Sequence, residues 1–185
     1  MDDLVPFGSR DYFLFLSLLL FSRGTDFLST WIATPNLLLE ANPLARKLGW
    51  KWGILVNLAL CLGFALWPLP AIIIATTSVL VAARNFQAAW LMKTVGEENY
   101  RDWFVSRLEE TQPSVFLFCL LAQTLLTAAV GAALIYFCKF DQFVPLGIGM
   151  GIIAYALAVT VYTLLALWRH RQAARRTGGN QPLHG

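Results

Sequence analysis

The chain has 185 residues, of which 57% are hydrophobic and 14% are charged, with a formal net charge of +3 and a mean hydropathy of +0.59. A soluble domain carries about one half apolar and one quarter charged residues, so this composition excludes a soluble globular protein and indicates a membrane protein. Each membrane-crossing helix needs roughly 20 apolar residues, which leaves room for roughly four to six crossings and for no sizeable soluble domain.

Apolar segments of spanning length predict an all-α, polytopic transmembrane helical bundle with five spans, and a four-span bundle is the alternative. The acidic first residues lack the basic start of a secretory signal, so we expect the first span to be retained. The predicted spans cover residues 10–33, 50–67, 71–92, 114–138 and 143–168 of a single bundle, 1–168. Residues 96–110 are predicted to form an amphipathic cytoplasmic helix, and residues 169–185 are predicted to form a basic, flexible cytoplasmic tail.

The positions of the Lys and Arg residues predict the orientation of the spans. Ten of the fourteen fall on one side of the five-span arrangement, whereas Arg10 and Lys139 fall on the other. By the positive-inside rule the basic side is cytoplasmic, which places the N-terminus outside and the C-terminus inside. We therefore expect an integral membrane protein, located in the bacterial inner membrane.

Few residues of the chain are suited to metal, cofactor or nucleic-acid chemistry. The three cysteines have no CxxC spacing, and both histidines, His170 and His184, lie in the tail. We predict no metal site and no cofactor. The arginines of the tail lie beside a span, where such clusters signal topology and attract anionic lipid, so no nucleic-acid partner is expected.

The first span carries an unusual set of polar residues. Arg23 and Asp26 are three residues apart, and Asp26 and Thr30 are four apart, so the three lie along one face of a helix. An ionisable side chain inside a membrane is costly and normally faces the bundle interior, where it finds a partner. This face of the first span is therefore the starting point of the predicted site.

A count of residues from the cytoplasmic end of each span predicts a shared polar layer. One polar residue from every span lies roughly 9 to 14 Å from that end at 1.5 Å per residue. The five residues are Asp26, Asn57, Arg84, Gln123 and Tyr162. We therefore predict a polar site, walled by all five spans, that opens toward the cytoplasm.

Charge balance suggests what the site holds. Arg84 and Ala88 define a face of the third span that can receive Asp26, whereas Asn85 points about 100° away from Arg84. Two arginines against one aspartate leave a positive charge, which Glu40 can cancel if its loop folds back. The alternatives are an anionic ligand, such as a lipid phosphate on the arginine fork, or a purely structural network.

Glycine pairs four residues apart predict close helix packing. Gly147 and Gly151 resemble a phosphate-binding loop, but they lie at the start of an apolar span with no preceding strand. Together with Gly49 and Gly53, they are typical of helix-packing faces, and homo-oligomerisation through such faces is expected.

Asp26 and Thr30, followed by Glu40-Ala-Asn42-Pro43, resemble a pattern shared by a family of small prokaryotic polytopic membrane proteins of unknown function. The likeness covers residues 20–90. It implies a membrane bundle but carries no activity to this chain.

Our leading hypothesis is an integral membrane protein whose polar site binds or transports a small polar or anionic species. Arg23 and Arg84 would contact the anion, and Asp26 would act as counter-ion or proton carrier. The alternative is a noncatalytic scaffold or assembly subunit, and a lipid-modifying enzyme with Glu40 or Asp26 as acid or base ranks third. The predicted ligand-binding residues are Arg23, Asp26, Thr30, Glu40, Asn42, Asn57, Arg84 and Asn85. The expected partners are membrane lipid and an anionic lipid or small anion.

Overall fold

The structure is a computed structural model that describes residues 4–40, 42–138 and 142–178. These residues form six α-helices and no strand, so the prediction of an all-α chain is confirmed for them. The helices are α1 (Arg10–Ala33), α2 (Pro43–Phe64), α3 (Pro68–Val95), α4 (Glu97–Glu110), α5 (Pro113–Phe137) and α6 (Phe143–Gly178).

Four of the six helices are long and apolar enough to cross a membrane: α1, α3, α5 and residues 143–168 of α6. These four indicate an integral membrane protein. The predicted second span corresponds to α2, which has 22 residues but is less apolar than these four.

Local features of its sequence explain the shape of α2. The helix begins at Pro43, seven residues earlier than predicted, because the Asn42 side chain accepts hydrogen bonds from the backbone N–H groups of Leu44 and Ala45 at 3.0 and 3.5 Å. Gly49 then interrupts it with a φ of 66°, a conformation that favours glycine. Lys51 follows this break, so the uninterrupted apolar part of α2 is short.

The α6 helix is longer than the predicted fifth span. It continues to Gly178, so the first part of the predicted flexible tail is helical. Residues 179–185 of that tail, and residues 139–141 of the predicted turn before α6, lie outside the described residues.

The contacts along α1 give the directions of the first three helices. Arg23 of α1 contacts Ser78 of α3, and further along both helices Ser29 of α1 contacts Asn85 of α3. The residue numbers increase in the same direction along the two helices, so α1 and α3 are parallel. The Tyr12 hydroxyl donates to the Leu62 carbonyl of α2 at 3.3 Å, whereas Arg23 meets the earlier Asn57, so α2 is antiparallel to α1.

A buried cluster joins one end of these three helices. It contains Tyr12, Leu19, Cys61, Ala65 and Ala71. Because the beginnings of α1 and α3 meet the end of α2 there, α2 returns the chain along the length of α1 before α3 begins.

The glycines of α6 pack against neighbouring helices of the same chain. A Cβ atom on Gly147 would come within 2.7 Å of the Ile72 side chain, and one on Gly151 within 2.7 Å of Thr76. Gly131 of α5 faces Gly149 of α6 in the same close manner. The small faces of α5 and α6 are therefore used inside the chain, and homo-oligomerisation stays a prediction.

The α5 helix occupies the periphery of the bundle. It packs antiparallel to α6, where the Thr124 and Thr160 hydroxyls are 2.5 Å apart. Across the described residues it has no substantial contact with α1, α2 or α3. A polar layer walled by all five predicted spans therefore does not form.

Candidate functional site

The Arg23 guanidinium is the centre of a polar cluster that joins three helices. Its Nη1 donates to Asp26 Oδ2 at 3.0 Å and to Ser78 Oγ at 3.1 Å. Its Nε donates to Asn57 Oδ1 at 2.7 Å, and its Nη2 donates to the same oxygen. These bonds connect α1 with both α2 and α3, as expected for a charged residue that faces the interior of a bundle.

The orientation of Asn57 is fixed by its own helix. Its Nδ2 donates to the Gly53 carbonyl at 2.8 Å, which turns Oδ1 toward Arg23. Gly53 is buried next to the Phe27 ring of α1, where an added Cβ would lie at an ordinary contact distance of 3.6 Å. The bond to the Gly53 carbonyl therefore positions the amide that accepts from the guanidinium.

The ion pair of the cluster is only partly exposed. The side chains of Arg23 and Asp26 are 29% and 16% exposed, respectively. Among the described residues, Asp26 Oδ1 accepts no hydrogen bond, and one N–H of the Arg23 Nη2 group is without an acceptor. The pair therefore keeps one acceptor and one donor that no described residue occupies.

A second set of hydrogen bonds extends the cluster toward the end of α1. Asn85 Nδ2 donates to Ser29 Oγ and to Thr30 Oγ1, both at 3.2 Å. Ser29 Oγ in turn donates to the Asp26 carbonyl at 2.8 Å. The structure thus brings together five of the predicted site residues: Arg23, Asp26, Thr30, Asn57 and Asn85.

Two buried serines belong to this cluster but were not among the predicted site residues. Ser29 and Ser78 are 0% and 2% exposed. Ser78 and Asn85 are seven residues apart and therefore share a face of α3, as Ser22 and Ser29 share a face of α1. That spacing was the sequence signal that could have identified them.

Glu40 and Asn42 lie at the rim of the cluster, between the end of α1 and the start of α2. The Glu40 carboxylate accepts the Asn42 backbone N–H at 2.7 Å. Burial raises the pKa of Glu40, while that hydrogen bond and the charge of Arg46 oppose the increase. Glu40 lies near enough to Asp26 for their charges to repel. The loop therefore does fold toward the cluster, but the cation beside Glu40 is Arg46 and not Arg23.

Arg84 lies apart from the cluster. The structure turns Asn85 toward α1, and Arg84, one residue earlier on α3, is exposed. It forms no ion pair or side-chain hydrogen bond with another described residue. The predicted approach of Arg84 to Asp26 is therefore wrong, because only one of two consecutive helical residues can face the same neighbour.

The other two members of the predicted layer are also elsewhere. Gln123 is exposed on the peripheral α5, and Tyr162 is half-buried on α6. Neither makes a side-chain hydrogen bond with a described residue. The cluster consequently has three walls, α1, α2 and α3.

The Glu97 carboxylate anchors the loop that follows α1, a contact that the sequence reading missed. It accepts the Thr34 hydroxyl at 2.9 Å, and the backbone N–H groups of Asn36 and Leu38 at 2.9 and 3.3 Å. The Trp50 indole holds the same loop by donating to the Pro35 carbonyl at 2.9 Å. Beside this anchor a cleft of about 580 Å³ lies between the end of α1 and the start of α4.

Metal ligands do not cluster in the described part of the chain: no three His, Cys, Asp or Glu side chains come together there. The polar cluster offers amide, hydroxyl, guanidinium and carboxylate groups, a set suited to hydrogen bonding a small polar molecule.

Comparisons of the chain with protein-family models, with curated proteins and with solved structures find no match. The resemblance of residues 26–43 to a small membrane-protein family therefore stays a prediction.

Proposed function

We propose that α2 crosses the membrane together with α1, α3, α5 and α6, giving five crossings. The parallel arrangement of α1 and α3 supports this proposal. If two parallel helices both cross the membrane, the chain between them must cross back, and α2 is the helix between them. The polar contacts of Asn57 also fit a helix that is covered on that face by α1 rather than by lipid.

The proposed orientation places the N-terminus outside and the cluster of Arg23 in the cytoplasmic half. Arg46 and Lys47 at the start of α2, and Lys93 at the end of α3, lie at the same end of the bundle as Ala33. Their charge favours the cytoplasmic side. The bacterial inner membrane is the location that this pattern fits.

We propose that the Arg23–Asp26 cluster binds or transports a small polar or anionic species that enters from the cytoplasm. The observation that carries this proposal is that one Asp26 oxygen and one Arg23 N–H have no partner among the described residues. The partial exposure of both side chains leaves them accessible. A molecule with both a donor and an acceptor can bind there without breaking the contacts that join the helices.

The charges of the cluster refine the ligand class. Arg23 and Asp26 neutralise each other, and Glu40 has Arg46 beside it, so Arg84 no longer contributes the surplus positive charge that favoured an anion. A polar or zwitterionic molecule therefore fits this cluster better than a bare anion. Asp26 would act in binding as the acceptor of the ligand's donor group.

A thermal-stability screen of the purified protein in detergent tests the proposed binding. The probes are glycine as a zwitterion, and acetate and inorganic phosphate as anions. We expect glycine to raise the midpoint of unfolding, by roughly 5 °C at about one hundred times its dissociation constant. Asp26→Asn should abolish the shift, because the amide replaces an ionised acceptor.

The matched control is Gln123→Asn, an equally small change at an exposed residue of the peripheral α5. It should keep the full shift. Equal shifts in the Asp26 variant and the wild type, or no shift with any of the three probes, would contradict the binding proposal.

A further inference from the structure

Arg84 lies within one of the four helices that are long and apolar enough to span a membrane, 11 residues before Val95, the last residue of α3. Its guanidinium has no carboxylate partner among the described residues, whereas Arg23 is paired with Asp26. A cation in this position is suited to an anion that the described residues do not supply.

The face of α3 that carries Arg84 is the face that packs against α6 further from the cytoplasm. Thr77, two helical turns before Arg84 and so on the same face, donates to the Gly151 carbonyl of α6 at 3.1 Å. Ile72, which lies about 120° from Arg84 around α3, is buried against Gly147 of α6. At the outer end, therefore, α3 and α6 are in close contact.

Further along this side of α3, Ala83, Arg84 and Gln87 are all exposed. Because the two helices are parallel, Ala158 and Tyr162 occupy the corresponding levels of α6. We call the surface that Arg84 and Gln87 of α3 form with Ala158 and Tyr162 of α6 at these levels the α3–α6 surface.

The end of α1 gives a reference level for the depth of Arg84. Its neighbour Asn85 bonds to Thr30, which is only three residues from the end of α1 at Ala33. At 1.5 Å per residue, Arg84 is thus roughly 6 Å from that end, a distance that the long arginine side chain can cover.

We propose that the α3–α6 surface binds an anionic phospholipid of the cytoplasmic leaflet, with Arg84 contacting its phosphate. The planar guanidinium can donate two parallel hydrogen bonds to phosphate oxygens. Gln87, one turn nearer the cytoplasm, provides an amide for the polar headgroup. The apolar sides of α3 and α6 above Arg84 are suited to the acyl chains.

The experiment measures thermal unfolding of the full-length protein in detergent with added phosphatidylglycerol. We expect the lipid to raise the midpoint by roughly 5 °C at about one hundred times its dissociation constant. Arg84→Gln should lose this shift while unfolding at the wild-type midpoint without lipid, because Arg84 makes no contact that holds the fold. Arg10→Gln removes the same charge at the other end of α1 and should keep the shift.

Two further probes separate the lipid from other anions. Glycerol 3-phosphate has similar headgroup chemistry without acyl chains, and an equal shift with it would overturn the lipid proposal in favour of a soluble phosphate ester. The lipid proposal would also be overturned if Arg84→Gln kept the shift with phosphatidylglycerol. It would likewise be overturned if the wild-type protein were a dimer and Arg84→Gln were a monomer. Asp26→Asn should keep the lipid shift, so this result is independent of the proposed binding at Arg23.

Discussion

Replacing Arg23 with glutamine is expected to lower the free energy of unfolding by about 2 to 4 kcal/mol, the largest effect of any single polar substitution in the chain. The change removes the ion pair with Asp26 and the bonds to Asn57 and Ser78 together. It also leaves a carboxylate in a mostly covered position without its cation. The partial exposure of the pair keeps the estimate below that of a fully buried pair.

Thermal or denaturant unfolding in detergent measures this loss, with Arg10→Gln as the control for removal of one positive charge. The double variant Arg23→Gln, Asp26→Asn should recover part of the stability, because it removes the unpaired carboxylate as well. If Arg23→Gln is no less stable than Arg10→Gln, the polar cluster does not hold the three helices together.

Replacing Gly131 with alanine is expected to destabilise the protein by about 1 to 3 kcal/mol, although alanine is the better helix former. The added Cβ would be 2.6 Å from the Gly149 carbonyl oxygen and 2.9 Å from the Ile153 side chain. The backbone of α6 cannot give way as a flexible side chain would. Since α5 packs against α6 alone among the long helices, we expect it to lose its position.

Gly24→Ala is the matched control, because its Cβ would meet nothing within 4 Å on the exposed side of α1. It should leave the midpoint of unfolding unchanged or raise it slightly through helix propensity. Equal midpoints for the Gly131 and Gly24 variants would show that α5 and α6 are not closely packed at Gly131.

Much of the candidate site followed from the sequence because charges are rare in an apolar helix. Arg23 and Asp26 stood out for that reason, and their spacing of three residues fixed a common face of α1. Equal depth in antiparallel helices then brought Asn57 to the same level, where the structure places it beside Arg23.

The sequence could not predict which helices are neighbours. A count of depth along each span places Gln123 at the level of Asp26 but does not reveal that α5 lies beyond α6. The sequence also could not decide whether Arg84 or Asn85 faces α1, because the two residues point about 100° apart around α3. That choice depends on the small buried residues Ser78 and Ala82, which let this face of α3 approach α1 closely.

Contacts between separate loops were also beyond sequence reasoning. Glu97 lies 63 residues from Thr34, and neither residue is unusual in its local sequence. Only the return of the chain to the same end of the bundle brings the carboxylate to the loop that follows α1. The break at Gly49 likewise depends on a backbone conformation that glycine permits but does not require.

We propose that the passage of α2 through the membrane brings Asn57 to Arg23 between the two parallel helices. Reporters fused to the N-terminus and the C-terminus test it directly by showing the side of the membrane on which each end lies. Five crossings predict an N-terminal reporter outside and a C-terminal reporter in the cytoplasm. Both reporters on the same side would mean an even number of crossings and would contradict the proposed passage of α2.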